Sequence, residues 1–120
     1  MNASPAPLRV LVVDDSADDA DLVRFALEDA GLSVECLRVY TEAALREALQ
    51  GFAASVVLSD LNIPGFSGQR ALEMVREMAP QLPFVFVTGW LGEQALGNAD
   101  ALVLKDQLDT LPELIGRLLA

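Results

Sequence analysis

Five short apolar runs recur along the chain, separated by segments with helical periodicity. Runs of this length and β-branched content are typical of strands covered on both faces. Strands that alternate with helices predict a parallel sheet with right-handed crossovers. We therefore predict an α/β domain of (βα)5 type over residues 8–120, preceded by a flexible tail at residues 1–7. The runs are LRVLVV at 8–13, SVECLRV at 33–39, ASVVLS at 54–59, PFVFVT at 83–88 and ALVL at 101–104.

Helix boundaries can be predicted from capping residues and stop signals. Ser16 and Asp19 form a predicted capping box at the start of the first helix, and Gly31 is its predicted stop. The buried face of this helix is predicted to hold Leu22, Phe25, Ala26 and Ala30. Further helices are predicted over about 42–50, 68–78 and 108–119.

Composition excludes several classes of function. Eighteen acidic residues against eight basic ones give a net charge of -10, which predicts no direct nucleic acid binding and no membrane association. The chain has no His and one Cys, so it offers no Cys/His zinc site and no internal disulfide. The N-terminus lacks signal-peptide character, and we expect a cytoplasmic protein.

Polar residues stand at the carboxyl ends of four of the five predicted strands. Asp14 and Asp15 follow the first, Asp60 the third and Lys105 the fifth, while Thr88 ends the fourth. The carboxyl ends of parallel strands form the functional edge of such sheets. Crowded carboxylates repel one another, and a hard divalent cation such as Mg²⁺ (or Mn²⁺) relieves that repulsion.

This set of groups is suited to phosphoryl transfer. Asp60 can attack phosphorus as a carboxylate nucleophile and form an aspartyl phosphate. The metal and the Lys105 ammonium offset charge on the phosphoryl oxygens, and the Thr88 hydroxyl can donate a hydrogen bond to one of them.

The segments VVDDS, SDLNIPGFSG, FVFVTG and LVLK together resemble the receiver domain of two-component response regulators from about Arg9 onward. The resemblance implies a flavodoxin-like, doubly wound five-stranded parallel sheet with strand order 2-1-3-4-5. It also implies specific roles. Asp60 is the phosphoacceptor, Asp15 and the backbone carbonyl of Asn62 are metal ligands, and Asp14 is the companion acid. Thr88 is the switch hydroxyl, Lys105 contacts the phosphoryl group, and Pro64 and Gly68 shape the acceptor turn.

The chain departs from the family pattern on its output side. Leu102 stands where the family usually has an aromatic switch residue, and Asp106 replaces the proline that usually follows the lysine, so a trans bond is expected there. The interval from Thr88 to Lys105 is shortened, which predicts a short fourth helix within Gly92–Gly97. By analogy with the family, Trp90 overlooks the phosphoryl group. Two roles are open for it: protection of that group from attack by water or contact with a partner, and ordinary packing.

Three classes of function follow from these observations. The first is a phosphoacceptor receiver that catalyses its own Asp60 phosphorylation and dephosphorylation and acts as a conformational switch. The second is a phosphorylation-independent docking module. The third, a small-molecule enzyme or electron carrier, is disfavoured because no P-loop is present and the DDSADD loop is too acidic to bind a flavin phosphate.

The resemblance implies a sensor histidine kinase or a histidine phosphotransfer protein as the phosphodonor. The downstream protein target is not specified by the sequence. Whether the chain acts alone or belongs to a longer hybrid kinase also stays open.

Overall fold

The computed structural model describes residues 7–89 and 97–120, and within these ranges five parallel strands form one sheet. The strands are β1 Leu8–Val13, β2 Val34–Val39, β3 Val56–Ser59, β6 Phe84–Thr88 and β7 Ala101–Leu104. Their spatial order is β2-β1-β3-β6-β7, which is the order 2-1-3-4-5 when only these five strands are numbered. The predicted flavodoxin-like doubly wound fold is therefore confirmed.

A short antiparallel pair follows β3 and was not predicted from sequence. Its strands β4 and β5 span Asn62–Ile63 and Phe66–Ser67, with Gly65 between them at a φ of 73°. A positive φ is accessible to glycine at little cost, so Gly65 lets the chain reverse within two residues. The turn predicted after Asp60 is thus a small hairpin.

Four α-helices in the described ranges cover the sheet, and three of them begin after a residue whose side chain caps the helix. Ser16, predicted as a cap, accepts a hydrogen bond from Asp19 N, while Thr41 and Ser67 accept from Ala44 N and Arg70 N. The closing helix is shorter than predicted, because a 3-10 segment over Lys105–Thr110 precedes it. The helices are α1 Ala17–Asp29, α2 Glu42–Gly51, α3 Gly68–Met78 and α4 Leu111–Leu118.

The predicted buried face of α1 is wrong. Val23 and Leu27 are the buried residues of this helix, whereas Leu22 and Phe25 are 51% and 47% exposed. Val23 and Leu27 belong to the apolar cluster that also contains Leu111 and Ile115 of α4. Apolar periodicity alone did not distinguish this stripe from the one through Leu22 and Phe25. Gly31, at a φ of 88°, follows the helix end as expected.

Two apolar clusters cover the two faces of the sheet. One contains Leu11, Val57 and Phe86 from the strands and packs against α2 and α3. The other contains Val12 and Leu58 and packs against α1 and α4. Because both faces are covered, the carboxyl edge of the sheet is left to carry polar groups.

The shortened fourth helix and Trp90 lie outside the described residues, as do residues 1–6 of the predicted tail. Within the described part of the chain, each helix is too short or too polar to span a lipid bilayer.

Candidate functional site

The ends of β1, β3, β6 and β7 bring the predicted site residues to one edge of the sheet. Asp14 N donates to Val39 O at 3.0 Å, and Asp60 N donates to Val13 O at 2.9 Å. These two bonds extend the parallel ladder by one residue on each side of β1. Asp14 and Asp60 are therefore fixed by backbone as well as by side-chain contacts.

Lys105 is the centre of this edge. Its Nζ lies 3.0 Å from Asp14 Oδ2, 3.0 Å from Asp60 Oδ2 and 2.6 Å from Asp19 Oδ2. Burial on its own lowers the pKa of Lys105, but its hydrogen bonds to Asp19, Asp14 and Asp60 outweigh this and raise the pKa above its ordinary value. The side chain therefore carries a full positive charge at neutral pH.

Asp14 is the most buried member of the acidic group, with 4% of the residue exposed. Burial raises the pKa of its carboxyl, while the Ser16 N–H, which donates to Oδ1 at 2.9 Å, and the Lys105 ammonium act in the opposite direction. Both carboxylate oxygens of Asp14 thus have a donor. A buried carboxylate without such donors would be costly.

Asp19 is a site residue that the sequence interpretation missed. The predicted capping box is only half formed: Ser16 Oγ accepts from Asp19 N at 3.1 Å, but Ser16 N donates to Asp14 instead of to Asp19. The Asp19 carboxylate is thereby free of the cap and bonds to Lys105. No local signal in the sequence marked it, because the burial of Val23, four residues further along the same side of the helix, is visible only in the structure.

The remaining predicted residues lie around this centre at different depths. Thr88 is 1% exposed at the end of β6, in register with Leu104, so it lies beside the start of the Lys105 segment. Asp15 and Asn62 are exposed, and Asn62 N lies 3.3 Å from Asp60 Oδ1. The Lys105 ammonium is bound by Asp14, Asp19 and Asp60, and neither the Asp15 carboxylate nor the Asn62 carbonyl is among these three partners.

A second basic residue supports the acidic turn. Arg38 Nη1, from β2, lies 3.3 Å from the backbone oxygens of both Asp14 and Asp15. The guanidinium also lies 4.9 Å from the ring centre of Tyr40. The turn that carries the acidic pair is therefore held from the side of the edge strand β2, which the sequence had not indicated.

The loop after Asp60 fits closely against the start of α3. A Cβ atom at Gly68 would overlap the backbone oxygen of Asp60 and would approach Leu61 Cα to 2.8 Å. Gly68 N also donates to Leu61 O at 3.1 Å. Glycine at this position therefore allows the loop after Asp60 to lie directly on the helix.

The donor chemistry of the edge fits a divalent cation. Carboxylate and carbonyl oxygens are the ligands that Mg²⁺ prefers. In the described ranges, however, no three acidic, His or Cys side chains are arranged to hold a metal ion. The carboxylates of Asp14 and Asp60 converge on the Lys105 ammonium, so a bound cation would share them with Lys105.

The departures on the output side have a structural counterpart. Leu102 is half-buried and packs against the cluster that contains Phe84 and Phe86. The Lys105–Asp106 bond is trans, as expected, and Asp106 continues into the 3-10 segment. The output side thus begins with an aliphatic residue packed in the core.

The model of the response regulator receiver domain family matches residues 10–109 of this chain. The chain belongs to this family. Among curated proteins, it is 33% identical over 89 residues to the C4-dicarboxylate transport transcriptional regulatory protein DctD of Rhizobium meliloti, covering 74% of this chain. It is 34% identical over 112 residues to the sensor protein GacS of Pseudomonas syringae pv. syringae, covering 89% of this chain.

The chain spans only 18% of DctD and 12% of GacS, so it corresponds to a receiver portion of each. Solved structures share the fold of this receiver domain over nearly its full length. A sensor protein from Polaromonas sp. JS666 superposes with a TM-score of 0.81 at 22% identity and covers 96% of this chain and 97% of its own. A receiver protein from Sinorhizobium medicae WSM419 gives 0.78 at 24% identity, covering 94% of each chain.

Proposed function

We propose that this receiver domain accepts a phosphoryl group on Asp60 in a Mg²⁺-dependent reaction and acts as a conformational switch. The observation that supports this most strongly is the contact between Lys105 Nζ and Asp60 Oδ2 at 3.0 Å, formed at the carboxyl edge of the sheet. It pairs the candidate nucleophile with a cation beside the atom that would attack phosphorus. The phosphodonor is a sensor histidine kinase or a histidine phosphotransfer protein, and the reaction takes place in the cytoplasm.

In the proposed reaction, an Asp60 carboxylate oxygen forms a bond to phosphorus. The bond between phosphorus and the donor imidazole nitrogen breaks, and that nitrogen keeps the electron pair. No general base is needed, because a carboxylate is already ionised at neutral pH. In dephosphorylation, a water oxygen forms a bond to the same phosphorus and the bond between phosphorus and the Asp60 oxygen breaks. The Asp60 carboxylate keeps that electron pair, and inorganic phosphate and a proton are released.

The side chains of the edge have distinct roles in this step. Lys105 moves its hydrogen bond from Asp60 to a phosphoryl oxygen and so compensates charge in the transition state. Thr88, buried at the end of β6, supplies a hydroxyl donor from the neighbouring strand. Asp15, Asp60 and the Asn62 carbonyl would hold Mg²⁺ with Asp14 as companion acid, and the bound metal supplies further positive charge to the phosphoryl oxygens.

The test is the intact mass after incubation with acetyl phosphate and Mg²⁺. The parent chain is expected to gain one phosphoryl group, and Asp60→Asn is expected to gain none. Asp106→Asn is a matched control, because Asp106 is an exposed aspartate beside Lys105 in sequence and takes no part in the carboxylate cluster. Asp106→Asn should gain one phosphoryl group like the parent, and omission of the metal should abolish the gain in both. An unchanged parent mass would contradict the proposal.

One observation favours a second candidate function, a phosphorylation-independent docking module. The half-buried Leu102 packs against the core at the position where the family usually has an aromatic switch residue. Beryllofluoride, a phosphoryl mimic, separates the two functions. A switch predicts changes in backbone amide chemical shifts that extend beyond the edge to Leu102 when the mimic and Mg²⁺ are added. A docking module predicts changes confined to the acidic edge, which includes Thr88.

A further inference from the structure

The ammonium group of Lys105 has as many carboxylate partners as it has N–H bonds. An ammonium has three donors, and Asp14, Asp19 and Asp60 each place one oxygen within 2.6 to 3.0 Å of Nζ. Asp14 and Asp60 already have roles in the proposed phosphoryl transfer. Asp19 has none, although it makes the shortest of the three contacts.

We propose that Asp19 is a positioning residue for Lys105 in this reaction. Its carboxylate holds the ammonium at the acceptor site, so that the N–H bond now directed at Asp60 can pass to a phosphoryl oxygen. This inference rests on the proposed function, because it assigns a role within the same phosphoryl transfer.

The location of Asp19 supports a directed role. Residues 19, 23 and 27 are spaced by four, so Asp19 begins the helix stripe on which Val23 and Leu27 are buried. This stripe faces the sheet, and its first residue comes level with the carboxyl edge. Asp18, in the same helical turn, is exposed.

Helix capping does not account for the Asp19 side chain. Ser16 Oγ caps the helix through the Asp19 backbone N–H, and the Ser16 N–H is satisfied by Asp14. Neither bond uses the Asp19 carboxylate. Its hydrogen bond to a residue 86 positions away brings α1 and the end of β7 together at the site.

The reaction itself makes the third contact necessary. When an Asp60 oxygen binds phosphorus, Asp60 no longer offers Lys105 a full carboxylate. Asp14 and Asp19 are then the two carboxylates that hold the ammonium. Lysine has a flexible four-carbon stem whose ordering costs conformational entropy, so after loss of Asp19 only one carboxylate, that of Asp14, would hold the ammonium in place for the phosphoryl oxygen.

The experiment compares Asp19→Asn with Asp18→Asn. Both substitutions remove one negative charge from the first turn of α1, but only Asp19 contacts Lys105. Asp19→Glu, which keeps the charge on a longer side chain, is the conservative variant. Circular dichroism and the thermal midpoint establish that each variant is folded.

The first readout is hydrogen exchange of the lysine ammonium, followed by NMR on protein labelled with ¹⁵N-lysine. Lys105 is the only lysine in the chain, so a single side-chain signal reports on it. Asp19→Asn should accelerate this exchange by about fivefold or more, because one N–H bond loses its charged acceptor. Asp18→Asn should leave the exchange at the parent rate, and Asp19→Glu should restore at least part of the protection.

The second readout is the initial rate of phosphorylation by acetyl phosphate at saturating Mg²⁺. Asp19→Asn should lower this rate about five- to tenfold, the loss expected when a transition-state contact is less well ordered. Asp18→Asn changes only the long-range charge, and its effect should stay within about twofold.

The outcomes separate the inference from the proposed function. If the parent chain is not phosphorylated, the proposed function fails and the reaction role of Asp19 fails with it, while the exchange data still report whether Asp19 holds Lys105. If the parent is phosphorylated but Asp19→Asn and Asp18→Asn react at equal rates, only the positioning role is overturned. The same holds if Asp19→Asn reacts faster than the parent. Equal ammonium exchange in parent and Asp19→Asn would overturn it as well.

Discussion

Three carboxylates surround the Lys105 ammonium, so charge balance at the site depends on single side chains. Asp14 is the most buried of the three and receives donors on both oxygens. Desolvation is the largest influence on it and favours the protonated form. The ionised form of the Asp14 carboxyl is thus disfavoured by burial and favoured by two specific donors, Ser16 N and the Lys105 ammonium.

The pKa of Asp14 is therefore predicted to lie above its ordinary value of 3.8 in metal-free buffer with EDTA. The folded chain then binds this proton more tightly than the unfolded chain, so the contribution of Asp14 to the free energy of unfolding falls as the pH rises through the window above 3.8. NMR titration of the Asp14 carboxyl carbon measures the midpoint directly. A midpoint below 3.8 would show that Lys105 and Ser16 outweigh burial.

The positions of Asp14, Asp15 and Asp60 at the carboxyl edge could be predicted from the sequence, because each follows a recognisable strand. Asp19 could not, because its position in the first helical turn has an ordinary explanation as a capping residue. The partner that overrides this explanation, Lys105, is 86 residues away. Local patterns carry no information about a contact at that separation until the strand order is known.

Among the secondary-structure elements, α3 is the one most closely joined to the acceptor loop. Its first residue, Gly68, lies against the backbone of Asp60 and Leu61 and beside the ring of Phe86. Its last turn reaches the segment before β7 through Arg76. One helix thus connects the loop after Asp60 to the segment that enters β7.

Gly68→Ala is predicted to lower the free energy of unfolding by about 1 to 3 kcal/mol, because the added methyl group overlaps backbone that cannot move independently. Gly116→Ala in α4 is the matched control, since a Cβ there has no neighbour within 4 Å. That control should be stabilising by roughly 0.5 to 1 kcal/mol. Urea denaturation of both variants measures the difference, and equal effects would contradict the close approach.

Arg76 fixes the segment that enters β7. Its guanidinium donates to Leu82 O at 2.8 Å, to Asn98 O at 2.9 Å and to Asp100 Oδ2 at 3.1 Å. Asp100 Oδ2 also accepts from Phe84 N at 2.8 Å. These bonds hold the chain in place immediately after residues 90–96.

Arg76→Gln is predicted to cost about 2 kcal/mol of unfolding free energy, because it removes charge-assisted hydrogen bonds at a side chain that is 18% exposed. Arg46→Gln is the control, since Arg46 is exposed and forms its ion pair with Glu42 on its own helix. That change should cost less than about 0.5 kcal/mol. Comparable losses in the two variants, measured by thermal unfolding, would argue against a role for Arg76 in holding residues 98–100.

Element positions were predictable because capping residues and glycine stops are local signals. The orientation of α1 was not, since Leu22 and Phe25 form as plausible an apolar stripe as Val23 and Leu27. The hairpin after Asp60 was missed because two-residue strands leave almost no pattern. The 3-10 segment over Lys105–Thr110, in which Gln107 takes a non-helical conformation, replaced the first turn of the predicted last helix.

For the whole molecule, the dominant electrostatic property is the net charge of -10. Like charges in a folded chain repel each other and lower its stability relative to the expanded state. The acidic edge adds a local concentration of the same sign, which Lys105 compensates only in part. The two-sided core, by contrast, follows from apolar patterning and was predictable from the residues, whereas the strand order was implied by the resemblance to the receiver family.

The thermal midpoint is therefore predicted to rise by a few degrees when NaCl is increased from low to roughly half-molar concentration, as screening shortens the range of repulsion. NaCl is preferred to sulfate, which stabilises folded proteins by exclusion from their surface. EDTA should be present so that a trace divalent cation does not contribute. A midpoint that is independent of NaCl would mean that the acidic excess is already compensated within the fold.

The measurement that tests the central claim most directly is the location of the phosphoryl group. The chain is treated with acetyl phosphate and Mg²⁺, the acyl phosphate is reduced with borohydride to the corresponding alcohol, and the peptides are mapped by mass spectrometry. The account predicts that Asp60 alone is converted and that Asp14, Asp15 and Asp19 are unchanged. Conversion at one of these other aspartates, or at none, would contradict the assignment of Asp60 as the phosphoacceptor.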